Sequence, residues 1–303
     1  MNPPLPRTIA EYLEQLRVSL RGADPALIQD ALYDAEDHLR SELAENPGKS
    51  EAEVLAKIAT TYGAPDEVAG IYVDKEHQVQ QALRPPPPPQ HRTALGRFFG
   101  VGADPRAYAS LFYMLLSLAT GIFYFVWAVA GISISIGTSI LIFGIAFAVL
   151  FFGTVRVLSL VEGRIIEVML GERMPRRPVY AQKGKSFMER IKDMFADPRT
   201  WSTLLYMLLM LPLGIIYFTI AVTGTVLSLA LMVAPVGMIL RSLDIIHGGG
   251  LYIDGEYIMP PFIALPFAFA LGVFLLFAML HLARGVGKFQ GALAKNLLVK
   301  SAE

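Results

Sequence analysis

The sequence predicts an all-α protein, in which a small helical bundle precedes a polytopic helical membrane domain with an internal duplication. The duplication is visible directly: residues 104–131 and 197–224 align without a gap and are identical at 16 positions. Both copies contain more than 20 successive uncharged residues, about the length that a helix needs to cross a bilayer. Charge separates the two parts, because residues 1–83 contain 7 Lys or Arg against 15 Asp or Glu, and residues 84–303 contain 19 against 11.

Residues 1–83, called the head below, read as four short helices. The first covers about 8–20, and Asp24 followed by Pro25 begins the second. Ser50 and Glu53 form a capping box for the third, and Pro65 begins a fourth that continues to about Gln81. Each helix has one apolar face, so the four must pack together. An acidic surface repels nucleic-acid phosphate, so no direct nucleic-acid binding is expected.

Five consecutive prolines at 85–89 predict an extended spacer after the head. A basic, aromatic approach to the membrane follows. The predicted domains are therefore the acidic head at 1–83, a linker and juxtamembrane segment at 84–103, a first membrane repeat with an amphipathic loop at 104–196, and a second repeat at 197–303.

Basic residues set the expected topology. The first 25 residues lack the apolar run of a signal peptide. Residues 162–199 contain 9 Lys or Arg against 6 Asp or Glu, which favours the cytoplasmic side. Within this region, residues 161–169 form an amphipathic stretch, with Val161 on the apolar face and Glu162 on the polar face. We expect a multi-pass membrane protein with a cytoplasmic N-terminus.

The second copy carries an insertion. Residues 156–171 correspond to 284–299 at an offset of 128, whereas the helix starts correspond at 93. The insertion contains an apolar stretch, Val226–Ile246, which Pro235 and Gly237 interrupt. Because the 247–260 loop has no Lys or Arg and the C-terminal residues are basic, we expect an external loop and a cytoplasmic C-terminus. This arrangement gives four spans, with Val226–Ile246 as a re-entrant or interfacial segment.

Two groups in the insertion are candidate signalling or ligand residues. Arg241 and Asp244 lie three apart in an apolar stretch, either as a mutual pair at a segment end or as a functional intramembrane pair. Tyr252, Asp254 and Glu256 alternate as in a short hairpin around Asp254-Gly255. That hairpin could face a ligand or simply cover the helices.

The loop between the repeats supplies the other candidate site. Arg173, Arg176 and Arg177 are candidates for docking the acidic head by charge. The chain has no cysteine, and its five histidines show no metal-ligand spacing. No nucleophile–base pair or carboxylate dyad is visible, so no enzyme activity, metal or cofactor is expected.

The head resembles the HAAS signalling domain, a helical module of bacterial membrane proteins often encoded beside a PadR-type transcriptional regulator. The matching residues are Tyr33, Asp34, Glu36 and His38 on the second helix, Lys49-Ser50-Glu51, and the stretch YGAPDEVA at 62–69. This resemblance implies a signalling role for the head and a cytoplasmic protein partner.

Residues 100–299 resemble the sensor transmembrane domain found in bacterial signalling proteins. The resemblance rests on Trp201, the stretch LLYMLLMLPLGIIYF at 204–218, Val222-Thr223-Gly224 and Leu282-Ala283-Arg284-Gly285. The first copy departs from it, with Ala119 in place of Pro212 and Tyr108 in place of Trp201. The resemblance implies an inner-membrane location in bacteria.

Two functions remain open from the sequence. The first is a non-enzymatic sensor that responds to membrane lipid or envelope state and relays it through the head to a partner such as a PadR-type regulator. The second is a small transporter or channel-like protein gated by the head. A transporter should repeat polar or ionisable residues within its spans, and these spans have few, which favours the sensor. A homo-oligomer is compatible with either function.

Overall fold

The computed structural model describes residues 6–83, 93–138, 142–178, 192, 195–242, 252–253, 256–257 and 261–299. Helices dominate these residues, which confirms the all-α class. The chain divides into two compact units. The first unit comprises 1–86, 128–206 and 291–303, and the second comprises 87–127 and 207–290.

In the head, the described residues form helices α1 (Ile9–Ser19), α2 (Pro25–Glu45), α3 (Glu51–Thr61) and α4 (Pro65–Leu83). The predicted helix starts are confirmed, because the side chains of Thr8, Asp24 and Ser50 each accept a hydrogen bond from a first-turn backbone N–H. Local side-chain caps satisfy donors that the helix itself cannot satisfy. The fourth helix extends slightly beyond the predicted end.

One apolar core joins the four helices of the head. Its centre includes Tyr12 and Leu16 of α1, Leu32 of α2 and Ile58 of α3, all buried. The Tyr12 hydroxyl donates a hydrogen bond to the Gly63 carbonyl oxygen at 2.9 Å, and burial raises the pKa of this phenol. The head therefore has the internal packing of a small folded bundle.

Long apolar helices make up most of the other described residues. After α5 (Ala94–Gly100) and a 3₁₀ turn (Val101–Ala103) come α6 (Pro105–Gly137), α7 (Ile142–Leu170), α8 (Pro198–Ser242) and α9 (Pro261–Leu298). Among the residues that the structure describes, these last four are long and apolar enough to cross a membrane. The protein is therefore a helical membrane protein.

Helix α8 corrects one prediction. The described part of Val226–Ile246 is not a separate re-entrant or interfacial segment, because α8 continues unbroken through Pro212 and Pro235 to Ser242. A proline removes one backbone hydrogen bond, whereas ending a helix among apolar residues leaves several carbonyls without partners. At 1.5 Å per residue, the 45 residues of α8 extend about 68 Å, well beyond the roughly 30 Å hydrocarbon core.

The predicted hairpin is confirmed by its described strands. Strands β1 (Tyr252–Ile253) and β2 (Glu256–Tyr257) pair antiparallel, with Tyr252 opposite Tyr257 and Ile253 opposite Glu256. The turn residues Asp254 and Gly255 lie outside the described residues.

Close helix packing in the second unit depends on two glycines. A Cβ added to Gly121 of α6 would overlap the carbonyl oxygen of Met210, and one added to Gly214 of α8 would overlap that of Ser117. Any side chain at either glycine would push the two backbones apart, so α6 and α8 can approach this closely only with glycine at both positions.

Candidate functional site

The first unit covers the N-terminal half of α2 on all sides. Every residue from Ala26 to Leu32 is buried, although the head core accounts for one face, with Ile28, Ala31 and Leu32. The opposite face carries Gln29 and Asp30, which are also buried. Polar side chains are rarely buried without hydrogen-bond partners. Their partners come from residues 171–178, called the arginine segment below, and from the ends of two other helices.

Asp30 is the centre of the site. Its Oδ1 accepts hydrogen bonds from the backbone N–H groups of Arg176 and Arg177, both at 2.7 Å. Its Oδ2 accepts one from the Arg173 guanidinium at 2.8 Å. Burial raises the pKa of Asp30, against the opposing effect of these donors. The buried carboxylate therefore depends on the arginine segment for its hydrogen bonds.

The arginine segment is shaped to present these donors. Gly171 ends α7 with a positive φ of 75°, the left-handed conformation that glycine adopts most readily. Residues 171–178 are then non-helical, and Arg176 and Arg177 lie too far beyond the end of α7 for their N–H groups to bond within it. Pro175 and Pro178 have no N–H. Between these prolines, the amides of Arg176 and Arg177 are left to bind the carboxylate.

Arg173 lies among three carboxylates. Its guanidinium is 2.8 Å from Asp30, 3.0 Å from Glu76 and 3.6 Å from Glu167, and its side chain is only 11% exposed. It also donates to the Met174 carbonyl oxygen at 2.6 Å. Asp30 and Glu76 belong to different helices of the head, α2 and α4. Arg173 therefore ties two head helices to the end of α7.

The other two arginines contribute differently. The Arg177 guanidinium pairs with Asp34 at 2.9 Å and lies 5.8 Å from the Tyr33 ring centroid, with its side chain 54% exposed. The Arg176 side chain pairs with Glu167 of α7 at 2.9 Å and is 40% exposed. Within the described residues, its link to the head is its backbone N–H.

Two further helix ends reach α2. Arg199, in the first turn of α8, donates to Gln29 Oε1 at 2.7 Å, and Gln29 Nε2 donates to the Arg177 carbonyl oxygen at 2.5 Å. Lys295, near the end of α9, donates to Asp24 at 2.6 Å and to Glu172 at 2.7 Å. One head helix thus contacts the chain at the end of α7, at the start of α8 and at the end of α9.

The sequence predicted Glu162 on the polar face of an amphipathic stretch, opposite Val161, but did not predict that its carboxylate is buried. Glu162 is buried, and its Oε1 accepts a hydrogen bond from the Tyr206 hydroxyl at 2.8 Å. Val161 and Val168 are instead 47% and 81% exposed. Because α7 is apolar on most sides, its hydrophobic periodicity does not decide which side chain is buried. Glu162 is buried because the Tyr206 hydroxyl is available as its hydrogen-bond partner.

Contacts in the two units occupy corresponding positions of the sequence alignment. Arg156 lies 3.6 Å from Asp197 in the first unit, and Arg284 lies 3.2 Å from Asp104 in the second. The Tyr206–Glu162 bond likewise corresponds to the bond between Tyr113 and Gln290 in the second unit, at 3.3 Å. Gln290 also accepts a hydrogen bond from Tyr217 at 3.1 Å.

The structure thus brings Arg173, Arg176 and Arg177 into contact with the head. For the second candidate group it describes only backbone: Arg241 lies near the end of α8, and Tyr252 and Glu256 lie in the two strands. Asp244 and Asp254 lie outside the described residues. No group of three or more His, Asp or Glu suited to a metal ion occurs in the described part of the chain.

Several site residues were missed from the sequence. Gln29 and Asp30 interrupt an otherwise apolar run, ALIQDAL at 26–32, and this interruption was the one local signal for a buried polar contact. Lys295 and Arg199 gave no signal, because a basic residue at the end of a membrane helix is expected on any such protein.

Comparison with known proteins gives a family match for the membrane part of the chain. A family model described as "Putative sensor" matches residues 113–298. No curated protein matches the chain, and no solved structure matches it. The matched residues run from α6 to α9, and the head lies outside them. Because the model covers more than half of the chain, the protein belongs to this sensor family.

Proposed function

We propose that this protein is a non-enzymatic sensor of the bacterial cytoplasmic membrane, which relays the state of the membrane through its head to a cytoplasmic partner. The contact of α2 with three helix ends carries the proposal. Displacement of α7, α8 or α9 relative to one another changes the positions of Arg173, Arg199 or Lys295. The hydrogen bonds to α2 cannot all survive such a displacement, so membrane geometry is coupled to head docking.

The docked face of the head suggests the chemistry of the partner. Asp24, Asp30, Asp34 and Glu76 are the acidic groups that contact basic residues in the docked state. Release of the head would leave these carboxylates unpaired and accessible. A basic protein surface, such as that of a PadR-type regulator, fits them, and the HAAS-like residues of the head agree with a signalling role. Such an interaction would weaken with salt.

Topology follows from the same groups. Arg199 and the arginine segment contact the docked head, Arg156 lies 3.6 Å from Asp197 at the start of α8, and a positive excess favours the cytoplasmic side. We therefore place the N-terminus, the loop between α7 and α8 and the C-terminus in the cytoplasm, with four spans. The matching contacts of the two units support a duplicated membrane domain.

Bilayer thickness offers a test of the relay. A bilayer that is too thin or too thick for the spans changes helix tilt, and the relay requires head docking to respond. The full chain is reconstituted in nanodiscs with short or long acyl chains of one headgroup composition. Hydrogen exchange at the Arg176 and Arg177 amides, both bonded to Asp30, then reports docking.

The expected result is an exchange rate at these two amides that differs between the bilayers. The matched control is Arg173→Gln, in which the head is already loosened, so exchange should be fast in both bilayers. Identical exchange of the wild-type protein in every bilayer would contradict the relay.

A further inference from the structure

A small crevice opens in the first unit between α7 and the start of α8. Two arginines, Arg156 and Arg199, and three hydroxyl side chains, Ser159, Thr200 and Thr203, line it. The remaining lining includes Asp197 and the apolar side chains of Val155 and Leu160. Two guanidinium groups against one carboxylate leave the crevice with a net positive charge.

Neither arginine is fully committed to its present partners. The Arg156 side chain is 44% exposed, and its 3.6 Å separation from Asp197 is longer than a hydrogen bond. Asp197 itself caps α8, since its Oδ1 accepts from the Arg199 N–H at 3.0 Å. A guanidinium has five N–H donors, so the bond from Arg199 to Gln29 leaves donors for a second acceptor.

The position of the crevice along the helices identifies the source of an anion. No charged residue occurs between Arg106 and Arg156, or between Arg199 and Arg241. Arg156 and Arg199 therefore mark the level at which the uncharged membrane-spanning parts of α7 and α8 begin. This is the depth of lipid headgroups, where basic pockets between helices bind anionic headgroups. The apolar walls suit the adjoining part of a lipid.

We infer that this crevice binds the phosphate of an anionic phospholipid, with Arg156 and Arg199 as its ligands. A phosphate oxygen accepts hydrogen bonds from both guanidinium groups and offsets their mutual repulsion. Arg199 also holds Gln29 of the head, so the bound lipid influences the orientation of a docking residue. This last consequence, and only this one, rests on the proposed relay function.

The other repeat provides an internal comparison. In the alignment, Arg284 corresponds to Arg156 and Arg106 to Arg199, but Gly287 replaces Ser159 and Ala107 replaces Thr200. The second position therefore keeps the arginines and loses two of the hydroxyls. The Arg284 side chain is 41% exposed, an exposed fraction similar to that of Arg156. Arg284→Gln is therefore a control for the loss of one interfacial charge.

Native mass spectrometry of the full-length protein in detergent tests the site. The protein is stripped of lipid and titrated with phosphatidylglycerol, with phosphatidylcholine and with inorganic phosphate. We expect phosphatidylglycerol to bind most tightly. Arg156→Gln should weaken this binding about fivefold, the equivalent of about 1 kcal/mol per basic residue at an anionic surface, whereas Arg284→Gln and the charge-conserving Arg156→Lys should retain most of it.

Each outcome decides the inference. Equal phosphatidylglycerol binding by the wild type and Arg156→Gln, or an equal loss in Arg284→Gln, overturns the site. Inorganic phosphate that displaces the lipid at similar concentration overturns the lipid assignment. Thermal unfolding curves identify a variant that has lost its fold, and in that case equal binding of phosphatidylglycerol and phosphatidylcholine by the wild type overturns the site. If lipid binding falls as expected but exchange at Arg176 and Arg177 does not change on lipid addition, the site stands and the proposed relay fails.

Discussion

Arg173→Gln should release the head from the arginine segment. Glutamine keeps a polar side chain of moderate length but cannot neutralise Asp30, Glu76 and Glu167, which lie within 3.6 Å of the guanidinium. The three carboxylate side chains are between 8% and 17% exposed. In the variant they would repel one another in a site that water reaches poorly.

The magnitude follows from the cost of removing one partner of a buried ion pair, about 3–5 kcal/mol. The low end applies here, because Asp30 keeps its two bonds from the Arg176 and Arg177 amides. A loss of about 3 kcal/mol lowers the ratio of docked to released head about 150-fold.

Hydrogen exchange measures this ratio directly. The Arg176 and Arg177 amides bond to the Asp30 carboxylate and not to a helix partner, so they exchange when the head is released. A peptide covering residues 174–178 carries few exchanging amides, because its two prolines have none. The exchange of the Arg176 and Arg177 amides can therefore be read from this peptide. Exchange at these two amides should accelerate about 150-fold in Arg173→Gln, by the same conversion.

Two variants of similar chemistry serve as controls. Arg164→Gln removes a half-exposed guanidinium that pairs with Glu167 within α7 itself and should leave exchange unchanged. Arg176→Gln removes a half-exposed pair, worth about 0–1 kcal/mol, so its effect should be much smaller than that of Arg173→Gln. If all three variants exchange at the wild-type rate, the arginine segment does not hold the head in solution, and the reasoning from burial is refuted.

Three other predictions concern topology, packing and the head. A cysteine at Tyr252 should react with an impermeant reagent outside the cell and one at Lys300 should not; external labelling at Lys300 would exclude four spans. Gly214→Ala should lower the unfolding temperature in detergent, because the added Cβ meets a backbone carbonyl; the expected loss in the free energy of unfolding is about 1–3 kcal/mol. Gly237→Ala should leave the unfolding temperature unchanged, because Gly237 has open space around it. Equal unfolding temperatures of the two variants would refute the close crossing of α6 and α8. Residues 1–83 alone should give a helical circular dichroism spectrum with cooperative unfolding, and a random-coil spectrum would refute an autonomous head.

Local features were predictable from the sequence because their causes are local. The caps at Thr8, Asp24 and Ser50 each act on an N–H within three residues, and all three helix starts were predicted correctly. Membrane helices are equally predictable from the sequence, since length and the absence of charge decide whether a segment can cross a bilayer. The composition also predicted that the acidic head would contact basic residues, among them Arg173, Arg176 and Arg177.

Other features depended on partners distant in the chain. Periodicity assigned Glu162 to the polar face of its helix, and the Tyr206 hydroxyl, 44 residues away, makes a buried position favourable for it. The inserted stretch with Pro235 and Gly237 suggested a re-entrant or interfacial segment, but the apolar surroundings of α8 favour a continuous helix through its described part.

The sequence by itself determined that a four-helix acidic head precedes long apolar helices with arginines at their ends, because caps, hydropathy and charge act over a few residues. Only the tertiary structure decided that Asp30 meets the Arg176 and Arg177 amides, more than 140 residues away, and that Arg156 and Arg199 share a crevice. Such pairings depend on which helix ends are packed side by side, and no interaction within a single helix specifies that.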